Sequence, residues 1–408
     1  MSFDPHAARA DFPLLRRDHE PALHYLDNAA TAQVAAPVLE AIHAHETTSR
    51  ANVLRGVHRL AEAATEAYGT ARETVACHLN AVDPDEIVFT SGCTAALNLV
   101  AHAFGATLAP GDEVVISELE HHSNIVPWQM LRDRTGIGLR VIPVTEEGRL
   151  DLTLLPDIVG PRTRLIAVTH ASNVTGALTE VGPIVDAARA VGARVLLDGA
   201  QQVPHARVDV QALGVDFYCF SGHKVFGPNG IGVLWARREL LADLPPFLGG
   251  GEMIRRVRLS ETTWAPPPQR FEAGTPPIAQ AVGLGAALRW LGRHDIDAVG
   301  RHLEALTQRL VEGLHTLGTE RVRVLGPGSG HPRGPLVAFD VPGAHPHDIA
   351  QLLDGHGVAV RGGHHCAQPL MDAYDLAGTT RASLALYNDA ADVDACLEAL
   401  ETALRKLL

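Results

Sequence analysis

Between residues 85 and 236 the chain alternates short runs of β-branched and other apolar residues with amphipathic segments, and this alternation limits its fold more than any other feature. EIVFT (86–90) precedes TAALNLVAHAFG (94–105), and DEVVIS (112–117), LRVIPV (139–144) and RLIAVTH (164–170) follow. EVGPIVDAARAVG (180–192) then leads into ARVLLD (193–198), and VDFYCFS (215–221) and GIGVLWA (230–236) close the series. Runs that are apolar throughout belong to strands buried on both faces, and strands separated by helices form parallel sheets. The expectation is an α/β domain whose mainly parallel sheet is covered by helices on both sides. Ligands of such sheets bind beyond the carboxyl ends of the strands, so the polar residues that end these runs carry the most information.

The pattern breaks after residue 244. The stretch from LPPFLGGGEMIRRV to WAPPPQRFEAGTPP (244–277) is rich in proline and glycine and reads as long irregular loops. IAQAVGLGAALRWLG (278–292) is helical in pattern and leads to an α+β segment. Its predicted strands are RVRVLG (321–326), GPLVAFDV (334–341) and GVAVRG (357–362), with helices over 297–317, 347–355 and 390–407. A chain of 408 residues is too long for one small core. The expected division is a large domain over 22–292 and a smaller one built from 1–21 and 293–408.

Composition narrows the partners. A hydrophobic content of 46% with 20% charged residues is that of a soluble globular protein. A net charge of −13 argues against nucleic acid or an anionic membrane. No apolar stretch is long enough to span a bilayer, and MSFDPHAARADFPLL lacks the charged and apolar regions of a secretion signal, so a cytoplasmic location is expected. The five cysteines are odd in number, widely spaced and without a CxxC, which disfavours a disulfide framework or a zinc finger. Cys77, Cys219 and Cys396 sit among apolar residues and read as core filler. Cys366 stands instead in RGGHHCAQP (361–369), which suits half a metal site, a reactive thiol on a loop or an ordinary turn.

Two strand ends carry chemistry. Asp198 ends ARVLLD, and a carboxylate there needs a cation or a donor to offset its desolvation. Lys224 follows VDFYCFS in the segment SGHK, where burial depresses an amine's pKa and favours amine chemistry. Together they suit pyridoxal phosphate, whose aldehyde a lysine holds and whose pyridinium nitrogen an aspartate keeps protonated; a buried ion pair suits them as well. TSGCTAALNL (90–99) turns from strand to helix, where the first N–H groups and Thr94 suit a phosphate, although Thr94 also suits a plain helix cap. Ser221 and His223 offer further phosphate donors, and His121, after DEVVIS, reaches the same end of the sheet unless it is simply solvated.

YLDNAAT (25–31), EHHSNIVPWQ (120–129), THASNVTG (169–176), LDGAQ (197–201), SGHK (221–224), RFEAGTP (270–276) and RGGHHCA with RASLALYN (361–388) occur in that order. Together they resemble the group II, SUF-type cysteine desulfurases of the class V branch of fold-type I pyridoxal-phosphate enzymes, over nearly the full length. The resemblance implies a large domain with a mainly parallel seven-stranded sheet plus a small α+β domain. It implies that Lys224 carries the cofactor, Asp198 meets its ring nitrogen, Gln201 its ring oxygen, and His121 stacks on the ring as an acid or base. Thr94, Ser221 and His223 hold the phosphate, completed by Thr275 from the second subunit of a homodimer. Asn173 and Arg381, with Ala29 beside them, bind the substrate carboxylate, and Cys366 takes sulfur from L-cysteine to release alanine. His364 and His365, if charged, would favour the attacking thiolate.

Leu54 and Ala95 stand where the family commonly has histidine and glutamate, which bears on substrate access and partner exchange. AHPHDIAQLL (344–353) resembles the segment of relatives that pass sulfur to a zinc-containing acceptor of the SufU type rather than the SufE type. His347 would there replace a zinc ligand of the acceptor, although His345 to Asp348 also reads as a plain helix start. The competing readings are a selenocysteine lyase or cysteine-sulfinate desulfinase, a sulfur donor dedicated to another pathway, or a non-enzymatic metal module of His345, His347, His364, His365 and Cys366. The metal module lacks a second cysteine at ligand spacing.

Overall fold

Residues 3–328 and 330–407 are described by the computed structural model; Met1 and Leu408, the outer bounds of the expected smaller domain, lie outside them. A two-residue strand, β1 (His24–Tyr25), comes first. The strands β2 (Ile87–Thr90), β3 (Glu113–Ser117), β4 (Gly138–Ile142), β5 (Thr163–Thr169), β6 (Arg194–Asp198), β7 (Phe217–Ser221) and β8 (Gly232–Ala236) then form one sheet in the order β2-β8-β7-β6-β5-β3-β4. Only β8 runs against its neighbours, so the other six strands end along one edge. Alternate residues serve two cores. Ile166, Val168, Val195, Leu197 and Phe220 face one, and Leu165, Ala167, Leu196, Phe217 and Cys219 the other. The expected doubly covered sheet is what forms.

One contact sets the approach of the helix Cys93–Ala103 to this edge. A Cβ on Gly232 of β8 would stand 2.4 Å from the Gly92 Cα, so only glycine lets the helix start lie against the strand. On the other face the helices Arg59–Leu79 and Ile278–Leu291 pack together. The first of these, and Ala36–Thr48 before it, were not read from the sequence. Cys77 lies on the exposed side of Arg59–Leu79 and is not core filler, whereas Cys219 and Cys396 are fully buried.

The proline- and glycine-rich stretch is not all loop. Within it, β9 (Ile254–Val257) and β10 (Thr262–Trp264) form an antiparallel hairpin. Glu272, after the hairpin, anchors the loop to the large sheet. Its carboxylate takes both Arg72 Nη1 and Nη2 at 2.8 Å, the Tyr68 hydroxyl at 3.0 Å and the Phe89 N–H at 2.7 Å. Both members of this ion pair are almost wholly buried. Glu272→Gln would leave the Arg72 charge unmatched. It should cost about 3 kcal/mol, the low end for a broken buried pair, read as a lower urea midpoint with an unchanged slope.

The C-terminal part has a second sheet. β11 (Arg323–Leu325), β12 (Leu336–Asp340), β13 (Val358–Ala359), β14 (Arg361–Gly363) and β15 (Thr379–Ser383) follow one another, and four of them pair antiparallel in the order β11-β12-β15-β14. The helices Ile296–Thr316 and Ala390–Leu407 cover it. GVAVRG was expected to be one strand, but it divides at Val360. β13 pairs with β1 and β14 with β15, so two partners are served by one apolar run. β15 lies in a segment for which no strand was expected. Among the described residues, no helix is long and apolar enough to cross a membrane.

Candidate active site

A cavity of about 600 Å³ opens at the carboxyl edge of the large sheet. Its lining gathers Ala29, Thr94, His121, Asn173, Asp198, Gln201, Ser221, His223, Lys224, His347, Cys366 and Arg381, whereas Thr275, Leu54 and Ala95 are not part of it. Thr275 is exposed and stands outside this cavity, on the loop that Glu272 anchors.

The floor is the end of β6. Asp198 is buried, and its Oδ1 accepts the Ala200 N–H at 2.9 Å and the Cys93 S–H at 3.4 Å. Its Oδ2 has no protein donor among the described residues. Cys93, Asp198 and Cys219 bring three potential ligand atoms within 4.8 Å of one another. Contact with Cys219 and burial push the Cys93 thiol well up, and burial does the same for Cys219, so both stay protonated donors rather than thiolate ligands. Lys224 follows β7. Desolvation pushes its amine down against the pull of Asp198, which enlarges the fraction of free amine at neutral pH.

Beside the floor, Ser221 Oγ accepts the Cys93 N–H at 2.8 Å, so its hydroxyl hydrogen remains free to point elsewhere. Thr94 is the second residue of the helix Cys93–Ala103, whose cap is Gly92, so the plain-cap reading of Thr94 falls away. His223 meets Thr31 Oγ1 through Nδ1 at 3.2 Å, and burial, with Lys224 beside it, pushes its pKa down to about 4. Gln201 Nε2 donates to Ala29 O at 2.8 Å, which ties the YLDNAAT turn to the floor. Ala29 N in turn donates to Ser383 Oγ of β15 at 2.9 Å, so this turn links the two sheets.

His121 is set by its own turn. Nδ1 accepts the Ser123 N–H at 3.1 Å and meets Ser123 Oγ at 2.8 Å. Burial and then Lys224 push its pKa down to about 4. The ring is therefore neutral, with its proton on Nε2. The turn hangs on Glu120, which the sequence reading passed over. Its fully buried carboxyl accepts Ser117 Oγ at 2.5 Å, Asn124 Nδ2 at 2.6 Å and the Thr169 N–H at 2.9 Å, joining the ends of β3 and β5. Burial pushes Glu120 up to about 8 against these donors. An acid between a strand end and two histidines was the available signal.

The second sheet supplies the other wall. Arg381 of β15 is 2% exposed, donates from Nη1 to Asn173 O at 2.8 Å, and has a buried Nε with no partner among the described residues. Burial pushes it down to about 10, partly offset by Asp27 at 3.5 Å, so it remains a cation at neutral pH. Asp27 is itself gripped by Arg361 Nε at 3.1 Å and Nη2 at 2.9 Å. Asn173 Nδ2 donates to His365 O at 2.8 Å. The Cys366 turn is therefore tied to the group beside Arg381.

Cys366 is exposed, and it and His365 both adopt left-handed backbone, with φ of 55° and 52°. The expectation that both flanking histidines could assist the thiolate fails for His365. Its ring is buried, Nε2 meets Thr379 O at 3.0 Å and Oγ1 at 2.9 Å, and burial pushes its pKa far down, so it holds no charge to offer. His364 does stay beside the thiol residue, accepting the Cys366 N–H on Nδ1 at 3.0 Å. His345 caps the helix Pro346–Asp354, and His347 in its first turn is exposed next to β14. Leu54 is also left-handed, with φ of 75°, and is 45% exposed.

Comparison with known proteins places this arrangement. The Aminotransferase class-V family model matches residues 24–396. The chain belongs to the class-V aminotransferase family. Within it, a cysteine desulfurase of Serratia proteamaculans is 44% identical over 411 residues, covering 100% of each chain. The crystal structure of the cysteine desulfurase CsdA from Escherichia coli, in S-sulfonic acid form, superposes with a TM-score of 0.92 at 40% identity, covering 100% of each chain. A C-DES mutant with glycine covalently linked to its PLP cofactor superposes with a TM-score of 0.82 at 26% identity, covering 96% of this chain and 98% of that one. The seven-stranded, mainly parallel sheet is the sheet of this pyridoxal-phosphate family.

The residues present fit that cofactor. Lys224 offers an amine of lowered pKa to an aldehyde, and the unpartnered Asp198 Oδ2 suits a protonated ring nitrogen. Ser221, Thr94, His223 and the start of the helix Cys93–Ala103 offer neutral donors to a phosphate.

Proposed function

We propose that this chain is a pyridoxal-phosphate-dependent cysteine desulfurase of the SUF type (group II), which moves sulfur from L-cysteine to Cys366 as a persulfide, releases L-alanine, and feeds iron–sulfur cluster assembly. The observation that carries it is the exposed Cys366 thiol in the same cavity as Lys224, Asp198 and Arg381. When bound, pyridoxal phosphate supplies an electron sink for the charge left by a departing α-proton. Lys224 and Asp198 hold the cofactor. Arg381 and Asn173 orient the substrate carboxylate, which points the sulfur to the Cys366 wall. Lys224, as free amine, and His121 hold and move the substrate's proton. The Cys366 thiolate attacks the substrate sulfur, an S–S bond forms as the Cβ–S bond breaks, and the carbon skeleton takes up a proton to leave as alanine.

In this reading the active unit is a homodimer, with Thr275 completing the phosphate site of the second subunit. The acceptor is a zinc-containing protein of the SufU type. His347, exposed beside β14, offers an imidazole nitrogen that can take the place of one zinc ligand and free a receiving thiolate. The test is holoenzyme mixed with L-cysteine. Mass spectrometry should find one added sulfur atom on the peptide carrying Cys366, with alanine formed in step. Rates on L-cysteine, selenocysteine and cysteine sulfinate, compared side by side, separate the desulfurase from the lyase and desulfinase readings. Turnover should rise with the zinc acceptor, and His347→Ala should keep basal turnover and lose that rise. No sulfur on Cys366 would sink the desulfurase, and stimulation surviving in His347→Ala would sink the acceptor assignment.

A further inference from the structure

The second histidine of the EHHSN segment has no part in the roles above, yet it makes two contacts to the Cys366 turn. The His122 N–H donates to Cys366 O at 2.7 Å. Its ring Nε2 accepts the Gln368 N–H at 3.1 Å. One bond is made to the carbonyl of the thiol residue itself and the other two residues on, where the helix Gln368–Ala373 begins. Accepting at Nε2 requires a neutral ring with its proton on Nδ1. Half burial first, and then the neighbouring His364, push His122 down and keep it neutral. The His122 and His364 rings lie 5.5 Å apart between centroids, and His364 Nδ1 holds the Cys366 N–H.

Such a grip has something to hold. Two successive non-glycine residues in left-handed backbone are costly, and they persist only where their surroundings over-determine them. Asn173 holds the carbonyl before Cys366, and His122 holds the carbonyl of Cys366 and the amide of Gln368. His122 has a rigid base from which to do so. It opens the short turn 122–124, whose Asn124 is bonded to Glu120 at 2.6 Å and to the Trp128 indole at 2.9 Å, all of them buried.

We propose that His122 is a positioning residue for sulfur transfer, clamping the Cys366 turn against the end of β3 so that the thiol is presented to the substrate sulfur. The proposal rests on the desulfurase reading for its kinetic part only.

The test compares holoenzyme with His122→Phe, which keeps the ring bulk and the backbone N–H but loses the acceptor, and His122→Gln, whose side-chain oxygen can replace Nε2. Hydrogen exchange at the Gln368 amide should speed up roughly tenfold in His122→Phe, the worth of one ordinary hydrogen bond. In the same variant kcat should fall about as much, while KM for L-cysteine and the cofactor's visible band stay unchanged. His122→Gln should return both readouts to near the parent values. Exchange within twofold of the parent in His122→Phe would overturn the clamp, as would a His122→Gln as impaired as His122→Phe. Faster exchange with unchanged kcat would overturn its role in transfer. Because exchange is read without turnover, a protein inactive on L-cysteine would defeat the function while still deciding the clamp.

Discussion

Replacing Cys366 by alanine should abolish persulfide formation and lower desulfurase turnover by on the order of a thousandfold or more, as removal of a nucleophile does in other enzymes. The cofactor should remain bound with its visible band intact, since Lys224 and Asp198 lie at the ends of other strands. The fold should survive as well. Both hydrogen bonds at Cys366 are made by its backbone, the N–H to His364 Nδ1 and the O from the His122 N–H, and alanine keeps both. Its side chain is exposed, so little apolar burial is lost. The measurement is alanine production from L-cysteine beside the visible spectrum and the thermal midpoint. A variant with a normal spectrum that still turned over at the parent rate would leave Cys366 with no part in sulfur transfer.

The half of this site that was legible beforehand is the half whose residues end hydrophobic runs. Asp198 and Lys224 stand out because a charged group after an apolar strand needs a reason, and the two strands that carry them, β6 and β7, are neighbours. The Cys366 wall has no such local signal. It depends on β15, on the division of GVAVRG between β13 and β14, and on Asp27, Arg361 and Arg381 meeting across long sequence separations. None of these pairings has a period that a single sequence displays, and only the likeness of RGGHHCA and RASLALYN to a known family pointed there. Gly362 of that segment serves packing: a Cβ there would lie 2.5 Å from Pro346 O and 2.9 Å from the His347 ring, so the glycine permits close approach of β14 to a helix start. The buried braces Glu120 and Glu272 were passed over because an isolated glutamate reads as surface until its donors are placed around it.

Arg381→Ala should lower kcat/KM for L-cysteine by about a thousandfold, through loss of two charged hydrogen bonds to the substrate carboxylate worth roughly 2 kcal/mol each. The guanidinium is already held from one side by Asn173 O and Asp27, while its buried Nε has no partner among the described residues. A buried donor left unpaired is costly unless a ligand meets it, and a planar fork beside the substrate cavity suits a carboxylate. The same pairing explains why the variant should fold. Asp27 keeps its two-pronged grip from Arg361, so no buried carboxylate is orphaned when Arg381 goes. A purely structural role would lower stability and leave ligand affinity alone, so binding must be read without turnover. The affinity for L-alanine, taken from the change in the cofactor's absorbance, should fall by a similar factor, while that for ethylamine, which has no carboxylate, should stay where it is. Equal losses for both amines, or no loss for alanine, would remove Arg381 from the substrate site and make it a brace for Asn173 alone.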